Sequence, residues 1–173
     1  MKILFSSLLT VFLFLTNLAH SDQIIAFIDM DKVITTSKPG SSVLKQLNDI
    51  NNKNLEFLKN EEKKFKEKEK KLISQKNIIS EAEFNKQIEE LKSEIKNYNQ
   101  NRKKIITDFN KLKIDNTNNL LKLINPILLK FSNDKEISVI LQKKDLVVAK
   151  TELDITDEII KIINIEIKKF KIQ

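Results

Sequence analysis

From Ser41 to Ile124 the chain contains neither glycine nor proline. Without the two residues that punctuate local structure, a stretch of that length has few ways to turn, and long helix is the natural outcome. Inside it Leu44, Asn51, Leu58, Phe65, Leu72 and Ile79 recur by sevens, one heptad position that is mostly apolar. Leu47 and Leu55 serve the companion position near the start, but charged residues replace them around 61–71, so the seam thins towards its far end. The return is cleaner. Phe84, Ile88, Leu91, Ile95, Tyr98, Arg102, Ile105, Phe109 and Leu112 alternate by fours and threes, and only Arg102 among them is plainly polar. That alternation is the signature of a coiled-coil stripe.

Between the two stripes lies Ser80-Glu81-Ala82-Glu83-Phe84. A serine followed three residues later by glutamate is a capping box, which starts a new helix. Two antiparallel helices with a tip near 77–80 satisfy the pattern. The alternative is one continuous helix paired with another chain, and the cap argues against it. The outgoing helix from Ser41 to Ile79 would reach about 58 Å at the helical rise per residue.

Both ends of the chain carry short apolar runs. Ile24-Ile25-Ala26-Phe27-Ile28 is β-branched and aromatic and reads as a buried strand. Residues 35–40 form a polar break. Beyond Pro126, the runs 137–141 and 146–149 read as two further strands, with Gln142-Lys143-Lys144-Asp145 as the hairpin turn between them. A helix is expected from Asp154, a candidate cap, to about Phe170. The fold class is therefore α+β, mainly α. A small β head for oligomerisation comes from 22–44 and 123–173, and 45–122 form a long antiparallel coiled-coil hairpin arm. Neither part can close a full core alone, so neighbouring copies are expected to supply burial.

The first residues read as a processing segment. Lys2 precedes an uncharged apolar run from Ile3 to Leu15, and Ala19-His20-Ser21 has the small-x-small pattern of a cleavage site. Cleavage is placed after Ser21, so 1–21 are a signal peptide and the mature chain starts at Asp22. An uncleaved anchor is the alternative, but the apolar run falls short of the ~20 residues that span a bilayer. His20 is the only histidine and leaves with the signal; the chain has no cysteine. That excludes imidazole acid–base catalysis, thiol nucleophiles and nearly all zinc chemistry. A single glycine excludes glycine-rich phosphate loops, so no cofactor is expected and the chain does not read as an enzyme.

Several segments, in order, resemble the Skp/OmpH family: Ile25-Ala26-Phe27-Ile28-Asp29-Met30-Asp31-Lys32-Val33, residues 42–47, Ile79-Ser80-Glu81-Ala82-Glu83-Phe84, Asn125-Pro126-Ile127-Leu128 with 137–141, and Leu153-Asp154-Ile155-Thr156-Asp157-Glu158-Ile159. The last is the best match, and the order and spacing cover the mature chain. The resemblance implies a jellyfish-like homotrimer, with a shared β hub and three arms around a cavity. Such proteins hold unfolded outer-membrane proteins in the periplasm without nucleotide. Gln142 departs from the family, where many members have an acidic residue. The family's lipopolysaccharide site has no residue-by-residue counterpart that can be carried over.

Charge is unevenly placed. From Lys45 to Lys122, 19 Lys and Arg oppose 13 Asp and Glu, whereas the rest of the mature chain is balanced. A solvated helix face is the ordinary reading of such mixtures. The functional reading is a basic wall that attracts acidic clients, with Lys59, Lys63, Lys66, Lys86, Lys92 and Lys96 as candidate contacts. Nucleic acid is not expected, because acidic residues are mixed in and no reading motif is present. Phe57, Ile73, Ile78 and Ile106 flank the seams. They either widen the apolar stripe or face a client as apolar contacts. Asp29-Met30-Asp31 could suggest a metal-binding pair, but two turn carboxylates near a helix start is the simpler account. The expected function is an ATP-independent periplasmic holdase. Its partners would be unfolded outer-membrane proteins and its own copies, with release to the insertion machinery or to an anionic lipid surface. A structural envelope coiled coil without chaperone activity is the alternative.

Overall fold

The computed structural model describes residues 23–172; the expected signal peptide and its cleavage site lie outside the described residues. The elements, in order, are β1 (Ile24–Ile28), α1 (Met30–Thr36), α2 (Lys38–Gln75), α3 (Glu81–Asp134), β2 (Ile137–Gln142) and α4 (Thr156–Glu166). Short 3-10 turns follow β2 at Lys143–Asp145 and precede α4 at Thr151–Leu153. The architecture is the expected one: a small sheet and short helices from both chain ends, and a long antiparallel helical hairpin between them.

The hairpin tip falls where the cap placed it. Helix α2 ends at Gln75, and Ser80 Oγ accepts from the Glu83 backbone N–H at 3.3 Å to start α3. Only half of the capping box forms, because the Glu83 carboxylate accepts from Gln87 Nε2 instead, at 2.8 Å. At the other end of α2 the expected polar break over 35–40 shrinks to one residue. Buried Ser37 closes α1 through its N–H to Val33 O, and its Oγ accepts from Gly40 N–H at 3.2 Å to open α2. Pro39 sits in the first turn, where no N–H is needed. Gly40 makes the close approach possible: a Cβ there would lie 2.0 Å from Ile34 O and 2.9 Å from Ser37 Oγ.

Helix α3 does not stop at Pro126, where the sequence suggested a return to the head. It runs through the proline to Asp134. The proline ring lies on the exposed face, so the Lys122 carbonyl that loses its partner can meet water. A proline inside a helix costs roughly 3 kcal/mol. Each buried large aliphatic side chain gains about 1.5–3 kcal/mol, and Ile124 and Ile127 on either side of Pro126 are both buried. Burial on the two flanks therefore outweighs the break. The helix ends with Glu136 at φ 55°, a left-handed position where glycine is usual.

The head core gathers Ile28, Val33, Val43, Leu47, Leu120, Ile124, Ile127, Phe131, Ile159 and Ile163 from β1 and all four helices. Strands β1 and β2 pair in parallel, Ile25 opposite Val139 and Phe27 opposite Leu141, with a register shift at Ile24/Ile25. On the other edge of β1, Ile155 N–H donates to Phe27 O at 3.0 Å and a bridge forms with Asp154. Asp154 then organises the start of α4. Its Oδ1 accepts from Thr156 N–H at 3.0 Å and from the Thr156 hydroxyl, while Thr156 Oγ1 accepts from Asp29 N–H at 2.9 Å. Burial alone would raise the Asp154 carboxyl; the Thr156 hydroxyl, the Thr156 backbone N–H and Lys143 outweigh it and hold the group below the usual carboxylate range.

Three expectations at the C-terminal end are corrected. Residues 146–149 are not a strand, and residues 143–145 form a 3-10 turn rather than a hairpin turn. Among the described residues nothing covers this segment: Val147 is 99% and Val148 89% exposed. The 3-10 turn does not bring the run back onto the open edge of β2, and a strand without a bonded neighbour is not maintained. The last helix ends at Glu166 rather than near Phe170. The chain beyond it lies along α2, where Gln46 Nε2 donates to Phe170 O at 3.2 Å and Ile172 N–H donates to Gln46 Oε1 at 3.4 Å.

Candidate functional site

The arm is held by two stripes of unequal quality. On α2 the inward positions are Leu47, Asn51, Asn54, Leu58, Glu61, Phe65 and Leu72. Leu55, expected in the seam, is 56% exposed. The companion positions after Leu47 are Asn54, Glu61, Lys68 and Gln75, all polar. The two helices therefore meet through polar contacts at mid-arm. Lys68 Nζ bonds both Glu94 oxygens, at 2.7 and 2.6 Å. The Tyr98 hydroxyl donates to Glu62 Oε1 at 2.8 Å, near Leu58 O at 3.4 Å. Its ring meets Phe65 edge-on, with centroids 5.3 Å apart. Burial first, and then the bond to the Glu62 carboxylate, raise Tyr98 above the usual phenol range, so it remains a neutral donor.

All four apolar candidates are exposed on the arm: Phe57 at 45%, Ile106 at 47%, Ile73 at 66% and Ile78 at 79%. They do not widen the seam. The six lysines are exposed as well. Lys63 pairs weakly with Glu67 at 3.8 Å and Lys92 with Glu89 at 2.8 Å; Lys59, Lys66, Lys86 and Lys96 form no ion pair among the described residues.

The ten candidates do not share one surface. Heptad spacing puts Phe57 on one flank of α2, in line with Lys64 and Lys71, while Ile78 lies in the tip beyond the end of the helix. Lys59, Lys66 and Ile73 form a stripe on the opposite flank. Sequence reasoning missed the Phe65–Tyr98 pair as a surface feature, because both lie in the stripes and read as seam. A groove of about 500 Å³ nevertheless opens beside them. The candidate carboxylate pair is occupied locally: Asp29 Oδ1 accepts from Lys32 N–H at 2.9 Å and caps α1, with Asp31 in the first turn. Among the described residues no helix is long and apolar enough to cross a membrane.

The OmpH-like outer membrane protein family matches residues 24–163, from the first residue of β1 into α4. The chain belongs to the OmpH-like family. The match takes in both halves of the arm and the strands at either end, so membership rests on the whole architecture. No curated protein matches the sequence. Among solved structures, the chain is similar to the crystal structure of a candidate outer membrane chaperone (OmpH-like) from Caulobacter crescentus CB15. The identity is 17% and the TM-score 0.73, over 87% of this chain and 89% of that one. At that identity the likeness carries the fold. OmpH-like membership also makes sense of the Leu153–Ile159 segment: its Asp154 and Thr156 tie α4 to β1, joining the two ends of the chain.

Proposed function

We propose that the chain is an ATP-independent periplasmic holdase that captures unfolded outer-membrane proteins between helical arms and keeps them from aggregating. The observation that carries this is the arm. It is a long projecting hairpin with an excess of basic charge whose apolar residues Phe57, Ile73, Ile78 and Ile106 are left exposed among the described residues. Residues 45–122 would be the client-binding arm, and residues 22–44 and 123–173 the trimerisation head. Membership of the OmpH-like family supports the reading.

The head supports self-association. Among the described residues its sheet has two strands, β2 has one edge without a neighbour, and the sheet still exposes Val139, Leu141, Ile24 and Ile25. The uncovered Val147 and Val148 lie a few residues beyond that edge. A two-stranded sheet is marginal alone, and an open edge is a template for another chain. A homotrimer would bury these groups together and place three arms around one cavity. Release would follow competition from the insertion machinery or an anionic lipid surface.

An aggregation assay tests the proposal. A denatured outer-membrane protein is diluted from urea with and without the purified chain, and light scattering is followed. Suppression near one trimer per client, without nucleotide, is expected. Unchanged aggregation in the presence of a trimer would favour a structural envelope coiled coil. A monomer at micromolar concentration by light scattering would remove the cavity from the mechanism.

A further inference from the structure

The arm's general basic excess explains attraction but not what a captured chain rests on. The groove at mid-arm differs from its surroundings in both charge and lining. Its floor is the Phe65–Tyr98 edge contact, and the Tyr98 hydroxyl is fixed by Glu62 and by Leu58 O, so that wall is preorganised. Phe57 stands at the rim with nearly half its surface free. The charges at the mouth cancel locally: Lys64 pairs with Glu61 at 2.6 Å and Lys68 with Glu94 at 2.6 Å. The four charged residues that line the groove therefore sum to zero on an arm that is otherwise basic, which suits an uncharged guest. Asn97 and Asn101, one helical turn apart, line the same groove. Their side-chain amides form no hydrogen bond among the described residues. Each amide offers donors and an acceptor, the complement of a peptide group.

We propose that this groove is a subsite for an aromatic side chain of an extended, unfolded polypeptide. The guest ring would pack against Phe57 and the Phe65–Tyr98 pair while its backbone crosses the amides of Asn97 and Asn101. Aromatic rings prefer edge-on and offset contacts of the kind already made by Phe65 and Tyr98, so a third ring extends the cluster without rearranging it. The subsite rests on the holdase reading for its biological guest. It divides the labour of the arm: lysines attract at a distance, and the groove selects aromatic positions in whatever chain arrives.

The chain has one tyrosine and no tryptophan. Biosynthetic fluorotyrosine therefore gives a single fluorine resonance, and it reports from the groove. The purified full chain is titrated with an uncharged, unstructured peptide carrying one Phe, and with its Phe→Leu and Phe→Ala counterparts. The Phe peptide is expected to shift the resonance saturably, the Leu peptide to bind roughly fivefold more weakly, and the Ala peptide not to bind. Phe57→Ala should weaken the Phe peptide by a similar factor, ~fivefold, since this exposed ring can be removed without opening the core. Asn97→Ala combined with Asn101→Ala should weaken the Phe and Leu peptides alike. Equal shifts from the Phe and Ala peptides, or an unchanged affinity in Phe57→Ala, would overturn the subsite. The aggregation assay on the same preparations separates the two claims. A parent that suppresses aggregation but shows no peptide shift keeps the holdase and loses the subsite. A parent that binds the Phe peptide without affecting aggregation keeps the subsite and loses the holdase.

Discussion

Gly40 and Asp154 sit at the two junctions that hold the head together, and each has a measurable consequence. A methyl group at Gly40 would collide with a backbone carbonyl, Ile34 O, which cannot swing aside as a side chain could. Gly40→Ala should therefore cost about 1–3 kcal/mol, the range for overpacking, despite alanine's better helix propensity. Thermal denaturation with far-ultraviolet circular dichroism would show it as a lowered midpoint. A midpoint equal to or above the parent's would mean that α1 and α2 can separate freely at Ser37. At Asp154 the folded carboxyl is held below its ordinary value, so its contribution has a definite sign. Stabilisation is whole above the unfolded pKa of about 3.9 and is lost as pH falls through the lower folded value. Asp154→Asn should melt lower than the parent at pH 7, and the two should converge below the parent's acid transition. Parallel pH profiles for the two proteins would show that the carboxylate charge is irrelevant to the Thr156 contacts.

At the scale of elements, the arm's weak point is chemical rather than geometric. Asn54, Glu61, Lys68 and Gln75 replace the apolar residues that would normally fill the companion seam position. An exposed ion pair such as Lys68–Glu94 contributes only about 0–1 kcal/mol, less than one buried leucine. The outer half of the arm should therefore open locally before the head melts. Hydrogen exchange should show weak protection over about 63–84 and strong protection in β1 and β2. Changing Lys68→Leu together with Glu94→Leu should raise protection in that window without altering the head. Uniform protection along the parent arm would contradict the thin seam. The return stripe from Phe84 to Leu112 was legible because its period is strict. The tip was legible because Ser80 and Glu83 state it locally. Leu55 was misread because either position 54 or position 55 can follow Asn51 in the stripe, and only the placement of α3 turns Asn54 rather than Leu55 inward.

For the whole molecule, the basic excess of the arm predicts how capture responds to salt. Salt screens beyond a Debye length of about 8 Å at physiological ionic strength, so attraction over longer distances acts on the association rate. Reversing Lys59, Lys63, Lys66, Lys86, Lys92 and Lys96 to Glu would invert the arm's net charge. These side chains are exposed, so the assembly should survive. Stopped-flow binding of a labelled, denatured, acidic outer-membrane protein should slow by about tenfold or more at low salt, while dissociation changes little. Equal rates for parent and variant would reduce the basic arm to a solvated surface.

The sequence alone determined the elements whose cause is local. The strand at Ile24–Ile28 and the helical hairpin with its tip each follow from residues within a few turns of one another. Tertiary structure decided whatever depended on a distant partner. It carried α3 through Pro126, because Ile124 and Ile127 are buried against elements from the other end of the chain. It ended α4 at Glu166, because Gln46 binds the backbone of the tail. It left Val147 and Val148 uncovered, because residues 143–145 coil into a 3-10 turn instead of a hairpin turn and the β-branched run does not return to the open edge of β2.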